Sequence, residues 1–234
     1  MSLPVRRAAM LAALASGISL LLPAHAAETP LAAALHRLAP AANPAVIDLA
    51  LKATDCATAR GEPPSDRLAV IDYSLPSTEP RLWVFDLVHR KLLFHELVAH
   101  GRNSGDDLAT KFSNRPESLE SSLGLFRTLG VYDGRNGYSL RMEGLDPGFN
   151  SNALERALVI HGASYVNSSL ARKAGRIGRS WGCPAVRPAV ARQLIDALKD
   201  GQYVFSYYPN RQWLGSSRNL QCSPAQVATA SLAH

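Results

Sequence analysis

A thiol and an imidazole offer the clearest chemistry in this sequence. Residues 157–186 read ALVIHGASYVNSSLARKAGRIGRSWGCPAV. His161-Gly162 closes an apolar, β-branched run, and Gly178-Arg179-Ser180-Trp181-Gly182-Cys183-Pro184 leads toward a helical pattern that starts at Pro188. This spacing predicts an imidazole at a strand end and a thiol in a glycine-bounded turn just ahead of a helix. Such a pair is equipped for acyl transfer: the sulfur attacks a carbonyl to form a thioester, and the histidine handles the proton. Helix N-terminal N–H groups and the guanidinium groups of Arg176, Arg179 and Arg187 are expected to favour thiolate. Backbone amides around Gly182 and Cys183 are expected to meet a tetrahedral oxyanion, because glycine lets the chain approach closely. The bland alternative is a small buried cysteine and a packed strand histidine, both common. Gly182 beside Cys183 favours chemistry, since a merely buried thiol does not need it.

Other polar residues carry weaker signals. His89, His95 and His100 lie on or near strand patterns, and His95-Glu96 invites a zinc reading. No pair has the helical spacing of a metalloprotease motif, and His95 and His100 have opposite parity in a regular strand. No metal and no organic cofactor is expected. His100-Gly101-Arg102-Asn103 forms a glycine-bounded turn after a strand, readable as loop geometry or as part of a substrate groove. Tyr165 either lines the site or packs as a loop aromatic. Trp83 and Phe85 read as strand core.

The elements that must position these residues are mostly strands. From Leu68 the apolar pattern takes a period of two, predicting strands over 68–74, 81–88, 91–99, 123–129, 138–143, 157–161 and 202–208. Turn residues separate them, among them Pro76, Pro80, Gly130, Gly134, Gly137 and Pro147. One helix is predicted within this part, over 188–199, with Pro188 at its start and Gly201 just past its end. Upstream, 29–39 reads as a short helix stopped by Pro40. A second helix runs over 44–60, with Val46, Leu49, Ala53 and Cys56 at helical spacing. Closely spaced strands with little helix argue a mainly β fold, a single antiparallel sandwich or barrel-like domain with a helical preface.

Length and composition set the frame. A chain of 234 residues suits one domain plus a short extension. With 47% hydrophobic and 19% charged residues it supports a real core and excludes disorder throughout. Arg6 and Arg7, an apolar run from Met10 to Leu22, and Ala24-His25-Ala26 together predict a cleaved secretory signal. That run is short for a span of ~20 residues, so no stable membrane anchor is expected after cleavage. Removing the two leader arginines from the formal charge of +6 leaves +4, a mild bias toward anionic surroundings or simply scattered bases. No Lys/Arg run argues for nucleic acid. The predicted layout is a signal over 1–26, a helical extension over 27–64, a catalytic domain over 65–210 and a polar tail over 211–234. In an exported protein the odd count of three cysteines leaves at least one thiol unpaired. If the termini lie close, Cys56 and Cys222 pair and Cys183 stays free.

The ordered motifs resemble those of the murein L,D-transpeptidase catalytic family, the YkuD fold, in the branch with a Gly-Arg-Ser-x-Gly-Cys-Pro signature. The family's strand-ending His-Gly is matched by His161-Gly162, and its Ser-His-Gly-Cys by Ser180-Trp181-Gly182-Cys183. Its upstream Thr-Pro-x-Gly-x-Phe is echoed by Ser121-Ser122-Leu123-Gly124-Leu125-Phe126. Residues 98–105 (VAHGRNSG), Phe112-Ser113-Asn114 and Gly137-Tyr138-Ser139-Leu140 also match the branch, so the likeness spans about 68–208. The resemblance implies an exported enzyme of the periplasm or cell wall acting on peptidoglycan stem peptides. Cys183 would attack the carbonyl of the L-centre, the terminal D-residue would leave, and a neighbouring amine would resolve the thioester into a direct cross-link. Water in place of the amine would make it an L,D-carboxypeptidase. A wall-binding module without turnover and a peptidase on ordinary L,L-peptides remain as rivals. His161 would take the thiol proton or pair with the thiolate. Gly182, Ser180, Trp181 and Gly162 would shape the site, and carbapenems would be expected to acylate the thiol. Two departures stand out. Trp181 replaces a second histidine, which favours His161 as the base and leaves Trp181 to shape the acceptor pocket. Ala185 replaces an arginine, so Arg179, Arg176 or Arg187 would hold the substrate carboxylate, with Tyr165 and Asn103 as further candidate contacts.

Overall fold

The run Leu68-Ala69-Val70-Ile71 is fully buried along its length, not on alternate residues. This places its strand between two apolar layers, and the rest of the fold follows from it. The computed structural model describes residues 29–223; the predicted signal over 1–26 lies outside them. Two helices come first, α1 (Pro30–Leu38) and α2 (Pro44–Thr58). Thr29 and Asn43 cap them by accepting the N–H groups of Ala32 and Ala45, and a proline follows each cap. The strands are β1 (Arg67–Asp72), β2 (Leu82–Asp86), β3 (Lys91–Glu96), β4 (Gly124–Gly134), β5 (Gly137–Gly144) and β6 (Val159–Gly162). After α3 (Ser168–Ala174) come β7 (Ala185–Val186), α4 (Pro188–Leu198), β8 (Tyr203–Tyr207) and α5 (Arg211–Ser216).

All eight strands join one sheet in the order β3-β2-β1-β8-β4-β5-β6-β7. Pairing is mainly antiparallel, with β1 parallel to β8 and β6 parallel to β7. The chain beyond β3 bridges back to β7, Ala99 opposite Ala185, and the Ala99 N–H donates to the Ala185 carbonyl at 2.8 Å. The sheet thus curls until it nearly closes, the barrel-like form of the expected β domain. Odd and even residues of the central strands feed different layers. Ala69, Ile71, Val84 and Val204 face a core capped by α4, through Ala191, Leu194, Ile195 and Leu198. Leu68, Val70, Trp83 and Phe205 face a second core covered by α1, α2 and Trp213.

Several expectations are corrected. The period of two expected from Leu68 fails in β1, β2 and β8 because both faces are covered, which turns alternation into continuous apolar runs. The strand expected to stop before Gly130 continues to Gly134. A register shift between Thr128 and Val131 absorbs the glycine as an irregularity in the ladder. The basic loop after His161 holds a helix, α3, capped by the Asn167 side chain and ended by Gly175 in the left-handed region. The segment read as a polar tail from 211 carries α5. Its Trp213 is fully buried against Phe205, an anchor that the surrounding polar residues concealed. Cys56 of α2 and Cys222 form a disulfide with Cα atoms 5.6 Å apart, and Cys183 is a free thiol.

Candidate active site

The closure of the sheet builds the site. His161 sits near the end of β6, opposite Ser139 of β5 on one side and Ala185 of β7 on the other. Cys183 lies two residues before Ala185, so the β6–β7 ladder brings imidazole and thiol to one end of the sheet. Both line a cleft of about 350 Å³, together with Tyr132, Arg135, Arg156 and Trp181. His161 is almost wholly buried, and its Nδ1 lies 3.0 Å from the Gly162 carbonyl. A carbonyl only accepts, so Nδ1 carries the proton and Nε2 keeps a free lone pair. Gly162, expected to shape the site, serves a packing role too. A Cβ there would lie 2.9 Å from Cβ of Ala191, so its absence lets α4 close on β6.

The cysteine turn is braced from below. Ser180 Oγ donates to the Cys183 carbonyl at 2.6 Å and accepts the Gly182 N–H at 3.1 Å. Ser121 Oγ donates to the Gly182 carbonyl at 3.0 Å and accepts the Gly101 N–H at 3.0 Å. The Ser180 N–H donates to the His100 carbonyl, and the Arg102 N–H to the Ser180 carbonyl. Gly182 has φ +123°, and a Cβ there would come within 2.8 Å of the Glu120 carbonyl oxygen, so only glycine fits. Its N–H is spent on Ser180, which corrects the expectation that it faces an oxyanion. Among the described residues no carbonyl accepts from the Cys183 N–H, which leaves that group for the purpose.

Electrostatics correct a second expectation. Burial pushes the Cys183 thiol above its ordinary value of 9.0, against the Val159 N–H and the Arg156 charge, which pull the other way. Helix α4 begins five residues on, beyond β7, too far for its N-terminus to offset the loss of water. The resting thiol is therefore protonated, and it donates to the Ala157 carbonyl at 3.7 Å. Burial likewise holds His161 below 6.5, with the Gly162 carbonyl acting in the opposite sense. The pair rests as neutral thiol and neutral imidazole.

The arginines are distributed differently from the sequence reading. Arg187 grips Glu96 with two hydrogen bonds, at 2.8 and 2.7 Å. Arg176 lies outside the cleft lining, 3.8 Å from Asp106. Arg179 lines the cleft but donates to Asp106 at 2.8 Å and to the Gly105 carbonyl at 2.8 Å. Arg156, which no motif flagged, is the guanidinium that acts on the Cys183 charge. It donates to the carbonyls of Ser113 and Glu120 and to the hydroxyls of Ser122 and Ser118. Tyr165 lines the cleft, its hydroxyl pushed up to about 12 by burial and then by the Cys183 charge. Asn103 does not; its side chain donates to the Ser118 carbonyl at 2.8 Å. His100 is buried beside Arg81, 2.7 Å away, and held down to about 4 by burial and then by that guanidinium. The turn it begins is thus loop architecture that supports the cysteine. His95 stacks on Trp83, and His89 meets Asp86, so each has a structural partner.

Comparison with known proteins agrees with this frame. The family profile of the L,D-transpeptidase catalytic domain matches residues 38–207, taking in all of α2 and all eight strands. The chain belongs to that family, a family of acyl-transferring enzymes. Solved structures with detectable likeness include an L,D-transpeptidase from Mycobacterium smegmatis, at 14% identity and TM-score 0.38, covering 62% of this chain and 60% of that one. One from Stackebrandtia nassauensis shows 14% identity and TM-score 0.37, covering 77% and 90%. L,D-transpeptidase 3 from Mycobacterium tuberculosis, with a faropenem-derived adduct, shows 16% and 0.36, covering 62% and 61%. The chain spans about three fifths of the length of the mycobacterial proteins. Among curated proteins no match is found.

Proposed function

We propose that this protein is a peptidoglycan L,D-transpeptidase that works through a Cys183 thioester. The observation that carries the reading is the shared cleft. A free thiol and an imidazole, its tautomer set by the Gly162 carbonyl, open on one cavity at the closure of the sheet. The stem peptide binds with the carbonyl of its L-centre at the sulfur. The thiol turns from the Ala157 carbonyl and gives its proton to His161 Nε2 as the S–C bond forms. Negative charge on the former carbonyl oxygen is met by the Cys183 N–H, and Arg156 favours the transient thiolate. Collapse breaks the C–N bond, His161 protonates the departing D-residue amine, and a thioester remains. A neighbouring stem's amine then attacks the thioester, His161 takes its proton, and the sulfur leaves with that proton to restore the thiol. The thiol proton leaves on the departing amine and the acceptor amine's proton replaces it, so the two halves balance. The predicted signal, if cleaved, delivers the enzyme to the periplasm or cell wall, where the stems are. A carbapenem's strained lactam presents the same kind of carbonyl and would acylate the same sulfur.

Incubation of purified protein with muropeptide tetrapeptides, read by mass spectrometry beside Cys183→Ala, tests this. Loss of the terminal D-residue with a new dimer, absent in the variant, is the expected result. Loss without a dimer would assign hydrolysis instead, and product formation by the variant would remove Cys183 from the chemistry.

A further inference from the structure

The arginines around the cysteine are unequal in what they have left to give. Arg176 and Arg179 reach Asp106, and Arg187 is bound to Glu96. Arg156 has spent four hydrogen bonds on protein acceptors, three of them at 2.6 Å. Arg141 stacks on Tyr132 but opens on a neighbouring hollow, not on this cleft. Arg135 differs. It lies in the turn between β4 and β5, lines the cleft that holds Cys183 and His161, and is exposed. Its guanidinium carbon sits 5.6 Å from the ring centroid of Trp181. Among the described residues no carboxylate, carbonyl or hydroxyl accepts from it, and its contact is with Trp181.

Trp181 has an unusual position of its own. It is 63% exposed at the mouth of the cleft, whereas Trp83 and Trp213 are buried. An aromatic face against a guanidinium fixes the cation's plane without using its in-plane N–H donors, which stay free for a carboxylate. Stacking also removes part of the entropy cost of ordering a long side chain. The pairing thus presents an unspent fork of donors in the cleft that holds Cys183. Ala185, where the family often carries an arginine, is fully buried between β6 and the Ala99 bridge and presents no charge.

We infer that Arg135, oriented by Trp181, forms the subsite for the free terminal carboxylate of the substrate peptide, next to the bond that Cys183 attacks. This rests on the stem-peptide reading above. It makes the enzyme selective for substrates ending in a free acid at the departing D-residue.

The test compares a stem tetrapeptide with its C-terminal carboxamide on the parent protein, Arg135→Ala and Arg135→Lys. The parent is expected to prefer the acid in KM, and Arg135→Ala to reduce that preference about tenfold, with kcat on the acid little altered. Arg135→Lys should recover only part, because an ammonium lacks the planar fork. Equal loss on acid and amide, or no loss on either, would overturn the subsite. If the parent converts neither peptide, the functional reading fails by itself, and binding decides the subsite. Trp181 emission then reports the cleft mouth during titration with each peptide, since the other two tryptophans are buried. An acid-selective change lost in Arg135→Ala sustains the subsite. The same response to acid and amide, or none to either, overturns it.

Discussion

At the scale of single residues, burial acts on both the Cys183 thiol and the His161 imidazole and drives their pKa values apart. It raises the Cys183 thiol above 9.0 and lowers His161 below 6.5. Between those values both groups are neutral, and thiolate is generated only as the sulfur attacks. Reactivity toward iodoacetamide should therefore be low near neutral pH and rise as pH climbs past the ordinary thiol range. A preformed thiolate–imidazolium pair would instead react at a rate already level by about pH 6–7, and that profile would contradict the neutral pair. That Cys183 and His161 belong together was legible because each carries a motif, a strand-ending His-Gly and a glycine-flanked Cys-Pro, and both line one cleft. Arg156 was not. It sits in a turn with no pattern around it, and its place beside the thiol arises from long-range bonds to Ser113 and Glu120, which local sequence does not encode. Sequence proximity to the cysteine pointed to Arg176 and Arg187, and both proved to be paired elsewhere. Ser121 lies between these cases. Its motif was visible, but that its hydroxyl braces the Gly182 carbonyl follows only from the folded loop.

At the scale of elements, the preface and the C-terminal segment act together. Helix α2 covers one face of the sheet, Trp213 of α5 fills the same layer, and the Cys56–Cys222 disulfide ties the two across 166 residues of sequence. Closing so long a loop restricts the unfolded chain, an effect of about 2–5 kcal/mol for a native bridge. Replacing both cysteines by alanine should lower the thermal midpoint by several degrees and leave the Cys183 cleft, which neither cysteine lines, able to bind a stem peptide at 25 °C. A midpoint unmoved by the double substitution would show that the bridge does not hold the segment. The preface helices were readable from caps and spacing, as were most strands. The missed elements share a cause. Helix α3 is only seven residues long, and α5 only six, too short to show a periodicity, and both are held by tertiary burial of Ala171 and Trp213.

At the scale of the molecule, the nearly closed sheet explains why the site lies where it does. The Ala99–Ala185 bridge joins the two edges of the sheet, and the chain on either side of it, from His100 to Gly105 and from Ser180 to Cys183, is hydrogen-bonded into the turn that holds the thiol. Closure leaves little edge exposed and places the Cys183 thiol where both edges meet, with two cores gripping the central strands from either side. A β domain was evident from strand spacing, yet closure was not, because a single bridge between distant residues has no sequence signature. If Cys183 carries the acyl group, the intact mass of the protein after brief exposure to a stem tetrapeptide or a carbapenem, followed by peptide mapping, reports it. One added acyl group located on Cys183, and no adduct on Cys183→Ala, is the expected result. An unmodified protein that nevertheless forms product, or an adduct on any other residue, would contradict it.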